Sequence, residues 1–119
     1  FFKKINDTYG HSYGDKVLTQ VGKLIIQSIR PNDIGVRFGG EEFVIVMLCD
    51  NENEAVVVAS RIREAAHKVN FEYKNKSFSI TLSGGIAIRS EGEAFEDLLQ
   101  RADSNLYKAK ETGRDRLCY

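Results

Sequence analysis

Apolar residues recur every three or four positions from Val17 to Ile29, at Val17, Leu18, Val21, Leu24, Ile25 and Ile29. That spacing predicts a helix with one buried face. Asp15 stands just before the run, where it would cap the helix, and Pro31 would stop it. The preceding GHSYGD reads as a glycine-containing loop, bracketed by Tyr9-Gly10 and Tyr13-Gly14. The pattern then tightens. Residues 34–38 and 42–48 read as two strands of a buried hairpin, joined at Gly39-Gly40. Helical spacing returns over about 15 residues at Ala55, Val58, Ala59, Ile62, Ala66 and Val69. FEYKNKSFSITLSGGIAI reads as a second hairpin, turning at Lys74-Asn75-Lys76 and continuing into a long second strand. Phe95, Leu98, Leu99, Ala102, Leu106 and Ala109 predict a last helix, stopped by Gly113, with a short strand over residues 115–119. No internal repeat, low-complexity segment or linker interrupts this order. It predicts an α/β chain, an α+β sandwich in which one mostly antiparallel sheet packs against helices.

Composition narrows the function classes. The chain has 119 residues, enough for one domain with a modest core. Hydrophobic residues make up 42% and charged residues 29%, which excludes a disordered chain. Lys plus Arg and Asp plus Glu are 17 each, so the formal net charge is zero. A general nucleic-acid binder or an anionic-membrane binder would carry a basic excess. A local cationic pocket for a phosphorylated small molecule remains compatible with that balance. Cys49 and Cys118 show no CxxC spacing, which points to a reducing compartment rather than a disulfide framework. No apolar run reaches the length of a membrane span. The opening FFKKIND has neither a starting Met nor a leader, and reads as the interior of a domain, hence as a fragment.

Four short segments could carry chemistry. In FKKIND…GHSYGD, Asn6 and Asp15 flank a glycine-rich stretch. A carboxylate can take the N1–H and 2-amino donors of guanine, and an amide can reach one of its acceptors. The plainer reading makes Asp15 a helix cap and Asn6 a turn residue. RFGGEEF sets Glu41 and Glu42 beside Gly39 and Gly40. A carboxylate there suits Mg²⁺, which takes oxygen ligands and is often held by one or two carboxylates plus substrate phosphates. The plainer reading is a hairpin tip with solvated acids. Lys110 and Arg114 in AKETGR, four apart, would lie on one side of a helix end and could clamp phosphates, or merely complement the helix dipole. Arg30 and Asp33 in RPND could face the acceptor and donor edges of a guanine, or form a surface ion pair. His67 reads as a surface residue, whereas His11, inside GHSYGD, is better placed to touch a ligand.

Taken together and in this order, the segments resemble one family. FKKIND-x2-GH-x2-GD, R-x2-D, RFGGEEF, ITLSGGIA and AD-x3-Y-x-AK-x2-GR look like the GGDEF domain of diguanylate cyclases, from Phe1 to about Leu117. The resemblance implies a palm-like fold similar to adenylyl cyclases and polymerases, with a mostly antiparallel central sheet flanked by helices. It implies condensation of two GTP into cyclic di-GMP at an interface between two such domains. It implies Mg²⁺ or Mn²⁺ as cofactor and an upstream sensory domain. The domain itself would be cytoplasmic, with no nucleic-acid or membrane contact. The family pattern begins with an Asp-x-Asp strand just before Phe-Lys, whose first Asp is a metal ligand. By that likeness residues 1–119 form a GGDEF domain lacking its first helix and first strand, and alone would be inactive or nearly so.

The same resemblance implies residue roles. Glu41 would ligate the metal and take the 3′-hydroxyl proton, with Glu42 beside it standing where Asp is commoner. Gly39 and Gly40 would leave room for the nucleotide. Asn6, His11 and Asp15 would hold guanine and ribose, and Lys3, Lys110 and Arg114 would neutralise phosphates. Arg30 and Asp33, joined by Arg61, would form a separate inhibitory site for cyclic di-GMP. The alternative function is a non-catalytic module of the same kind that binds GTP or cyclic di-GMP as a receptor.

Overall fold

The computed structural model describes residues 2–119, without the side chains of residues 2–4 and 6. It contains four helices and three two-stranded sheets among those residues. The chain divides into two compact units, one built from residues up to 48 with 69–79, the other from 49–68 with 80–119.

In the first unit, α1 (Phe2–Tyr9) runs into α2 (His11–Ser28) through Gly10. Gly10 has φ +89°, a conformation open to glycine and strained for other residues. It therefore breaks one helix and opens the next, and HSYGD, residues 11–15, is helical rather than a loop. Asp15 accordingly does not cap α2: it lies inside the helix, where its carbonyl accepts the Thr19 hydroxyl at 2.9 Å. Val17, Leu18, Val21 and Ile25 are buried along one face of α2. Burial of each is worth about 2 kcal/mol, an upper figure because unfolded chains are partly collapsed. α2 ends at Ser28, two residues before Arg30 and ahead of Pro31.

The antiparallel pair β1 (Ile34–Gly39) and β2 (Glu42–Val46) follows. Gly35 packs toward α2: a Cβ there would make ordinary van der Waals contact, at 3.5–3.6 Å, with Ile25, Ile26 and Ile29. The hairpin is not buried on both faces, as its apolar sequence suggests. Ile34, Val36 and Phe38 alternate along β1, all exposed. β2 also ends at Val46, short of the predicted Leu48.

The unit is completed by β3 (Phe71–Tyr73) and β4 (Lys76–Phe78), an antiparallel hairpin. Its turn is Lys74-Asn75, both at positive φ (+46° and +68°), the two-residue turn that matches strand twist. β4 is short, because the predicted long second strand leaves regular pairing after Phe78. An aromatic cluster holds this hairpin against the helix junction. Tyr9 stacks on Phe78 at 4.7 Å, Tyr13 lies 4.6 Å from Tyr73, and the Tyr13 hydroxyl donates to the Glu72 carbonyl at 2.7 Å. Such ring pairs add about 1 kcal/mol each beyond area burial. They secure the Gly10 break and hence the first turn of α2.

The second unit holds α3 (Glu52–Lys68), β5 (Gly84–Gly85), α4 (Phe95–Glu111) and β6 (Leu117–Cys118). Asn51 caps α3, its side-chain oxygen accepting the Glu54 N–H at 3.1 Å. Ala55, Val58, Ile62 and Ala66 form its buried face; Val69 falls beyond its end. β5 and β6 pair in parallel, in a register that sets Gly84 opposite Leu117. A Cβ on Gly84 would sit 2.7 Å from Leu117, and one on Gly85 only 2.1 Å from the Ala102 carbonyl. The two glycines thus let β5 lie directly on α4 and β6. Arg101 on α4 clamps the connecting segment by donating to both Glu93 carboxylate oxygens, at 2.8 and 2.6 Å, and to the Ile88 carbonyl.

Candidate functional site

The RFGGEEF tip departs from a plain two-residue turn. Pairing runs Ile34 with Val46 through Arg37 with Phe43, then resumes at Gly39 with Glu42. Phe38 is thus the extra residue of a bulge, and the turn falls at Gly40-Glu41 rather than Gly39-Gly40. Gly40 has φ +52°, so its backbone sets the requirement for glycine. Arg37, which sequence reasoning passed over, locks the tip: its guanidinium donates twice to the Gly40 carbonyl, at 3.1 and 2.8 Å. A Cβ on Gly39 or Gly40 would meet nothing within 4 Å. The space beside both glycines is open, and Glu41 and Glu42 at their side are exposed.

That donor set suits a hard cation. Mg²⁺ is commonly held by one or two carboxylates and completed by phosphates and water. Glu41 and Glu42 supply carboxylates at an uncrowded tip. Among the described residues, no group of three or more His, Cys, Asp and Glu side chains forms a closed metal cage.

α2 carries the candidate base contacts. His11 and Asp15 are four residues apart in one helix and both exposed, so they project from the same side one turn apart. The helical start at His11 creates this pairing, which a loop would not. The side chains of Lys3 and Asn6 lie outside the described residues. An open apolar groove of about 440 Å³ lies between α2 and the β1–β2 hairpin, lined by Gly22, Ile26, Val36 and Phe43 among others. It includes none of His11, Asp15, Glu41 or Glu42, and its polar side chains, Lys23, Gln27 and Arg37, are not among the candidate site residues.

Arg30 and Asp33 are engaged with one another. Asp33 Oδ2 accepts the Arg30 backbone N–H at 2.9 Å and Nε at 3.0 Å, while Oδ1 accepts Nη2 at 3.1 Å. The same Nη2 reaches the Leu48 carbonyl at 2.8 Å. The Asp33 side chain is only 2% exposed, against 41% for Arg30. Side-chain hydrogen bonds from Arg30 hold the Asp33 carboxyl below its ordinary range, outweighing burial, which pulls it up. RPND is therefore a formed lock, tighter than a solvated surface pair, and a ligand reaching Asp33 must open it.

Lys110, Arg114 and Arg61 belong to the second unit. Lys110 is half-buried in the last turn of α4, and Arg61 is exposed on α3. α4 stops at Glu111, so Arg114 lies past the helix and does not continue its face, contrary to the four-residue argument. Arg114 instead sits in a tight turn, with φ +61°. Sequence reasoning also missed what surrounds it: Arg63, Ser83, Asp115 and Arg116. GRDR signalled charge there, but not its partners.

The family model described as "Diguanylate cyclase, GGDEF domain" matches residues 1–116. Diguanylate cyclase A of Treponema denticola is 39% identical over 118 residues, covering 98% of this chain and 32% of the relative. This chain thus spans about a third of that relative's length. Among solved structures, the GGDEF domain of DgcB from Caulobacter crescentus in complex with c-di-GMP superposes with a TM-score of 0.94 at 32% identity, covering 98% of this chain and 70% of that one. The active GGEEF domain of a diguanylate cyclase from Vibrio cholerae gives 0.87 at 36% identity, covering 98% and 74%. The open glycine tip with its two acids, the paired RPND loop and these likenesses along nearly the whole chain lead to one conclusion: the chain belongs to the GGDEF domain family of diguanylate cyclases.

Proposed function

We propose that this domain supplies one half of an enzyme that condenses two GTP into cyclic di-GMP. The carrying observation is the Gly39-Gly40 tip, open on its outer side and flanked by two exposed carboxylates. In this reading Glu41 lies beside the 3′-hydroxyl of the bound GTP and accepts its proton as the oxygen attacks the α-phosphorus of a second GTP. The bond from that phosphorus to the bridging oxygen breaks, and pyrophosphate leaves. A repeat in the other direction closes the ring. Glu41, with Glu42 adjacent, holds Mg²⁺ or Mn²⁺, which when bound offsets the charge of the triphosphate. Asn6, His11 and Asp15 orient guanine and ribose. Lys3, Lys110 and Arg114 offset charge on the departing phosphates. Positioning and electrostatics supply most of the rate.

Because each domain brings one GTP, two copies must meet. The specific rate of the full-length protein should rise with its own concentration and plateau once dimers saturate. A specific rate constant across the dilution series would sink the two-domain mechanism.

Arg30, Asp33 and Arg61 form, in this reading, a second site that takes cyclic di-GMP and slows turnover. The Arg30–Asp33 lock exchanges its internal bonds for the acceptor and donor edges of guanine, which favours a ligand able to satisfy both partners at once. Coupling between such sites is typically about 1–3 kcal/mol. Arg30→Ala and Asp33→Ala should each weaken cyclic di-GMP binding about tenfold or more in calorimetry. Both should retain turnover at low product and resist inhibition at high product. Unchanged affinity in both variants would return RPND to a structural role.

A further inference from the structure

We propose that Arg63 and Asp115 are positioning residues that aim Arg114 at an anionic ligand; this rests on the phosphate-binding reading of Arg114. The turn after α4 carries three successive residues at positive φ: Gly113 at +125°, Arg114 at +61° and Asp115 at +47°. Glycine takes such values freely, but Arg and Asp do so at a cost that the surroundings must offset. Here they do. The Arg114 N–H donates to the Ala109 carbonyl at 2.9 Å, closing the end of α4. The Arg114 carbonyl accepts Arg116 Nε at 3.0 Å. The Asp115 N–H donates to the Ser83 hydroxyl at 3.1 Å. The Asp115 carboxylate accepts Arg63 Nη1 at 2.8 Å, reaching across from α3.

Every backbone group of Arg114 is thus held from α4 or from the turn itself, and the next residue is tied to α3 and to the segment before β5. The side chain of Arg114 is treated differently. It is exposed, and among the described residues no hydrogen bond or ion pair engages its guanidinium. Asp115, the carboxylate next to it in sequence, is bound to Arg63 instead. Arg63 therefore does two things. It fixes the strained backbone, and it occupies the carboxylate adjacent to Arg114, which is then not available to pair with it. A fixed backbone with an uncommitted planar cation suits bidentate recognition of a phosphate, for which Arg is better shaped than Lys.

The test compares binding of GTP and GMP to the full-length protein by calorimetry, since GMP lacks the β- and γ-phosphates. Arg63→Gln should weaken GTP by about tenfold while leaving GMP unchanged, the scale expected for a misaimed contact. Asp115→Asn keeps a side-chain oxygen and tolerates positive φ, so it should retain the preference for GTP. Asp115→Gly relieves the backbone but removes the carboxylate. It should melt no lower than the parent and still lose preference for GTP, a split that a purely structural role does not produce. A GTP-to-GMP affinity ratio unchanged in Arg63→Gln and Asp115→Gly would overturn the proposal, as would equal losses for both ligands. Arg114→Ala separates the two levels. If it lowers the ratio while Arg63→Gln does not, positioning alone fails; if it leaves the ratio unchanged, the phosphate role of Arg114 fails with it.

Discussion

Replacing Glu41 by alanine should lower GTP turnover about a thousandfold or more, the effect of losing several kcal/mol of transition-state stabilisation. The substitution removes a proton acceptor and a metal ligand together. It should leave the fold intact, because Glu41 is exposed in the turn and the tip is held by Arg37 on the Gly40 carbonyl. Glu41→Gln keeps the shape and loses the charge, and should fall almost as far. Cyclic di-GMP binding and thermal stability should be unchanged in both variants, which separates a chemical loss from misfolding. Initial rates of pyrophosphate release at saturating GTP provide the check. Turnover in Glu41→Ala equal to that of the parent would remove Glu41 from the mechanism.

The second large effect concerns base choice. Asp15 is an exposed carboxylate one turn from His11 on α2. Guanine presents two donors that one carboxylate can accept. Adenine presents an acceptor at N1 and no 2-amino group, so a bound ATP would leave Asp15 unpaired and desolvated. That mismatch costs several kcal/mol, or about a hundredfold or more in selectivity. Asp15→Ser should therefore narrow the ratio of kcat/KM for GTP over ATP, chiefly by weakening GTP. The Thr19-to-Asp15 bond uses the Asp15 backbone carbonyl, so the helix itself should persist. ATP competing equally with GTP in the unsubstituted protein would contradict the assignment.

Much of the fold was legible because burial imposes periodicity. α2, α3 and α4 lie where spacing at three and four put them, and the Lys74-Asn75 turn lies within its predicted hairpin. What escaped was set by single backbone conformations. GHSYGD looked like a loop because two glycines suggest one, yet only Gly10 takes a positive φ, while Gly14 is buried inside α2. The bulge at Phe38 shifted the GGEEF turn by one residue, which alternation alone does not reveal. The second hairpin strand is shorter than its sequence suggests, since the alternation of Phe78, Ile80 and Leu82 with Ser79 and Thr81 also fits irregular chain packed by side chains. At the site, residue types were readable and partners were not. Arg63 and Asp115 are 52 positions apart, and nothing local in either neighbourhood announces their contact.

Cyclic di-GMP synthesis can be measured directly. The most direct measurement incubates the full-length protein with GTP and Mg²⁺, identifies the nucleotide product by chromatography and mass spectrometry, and counts the pyrophosphate released. The account predicts cyclic di-GMP, with two GTP consumed and two pyrophosphates freed for each molecule formed. A product containing a single guanosine, or GTP left intact while cyclic di-GMP binds, would contradict it.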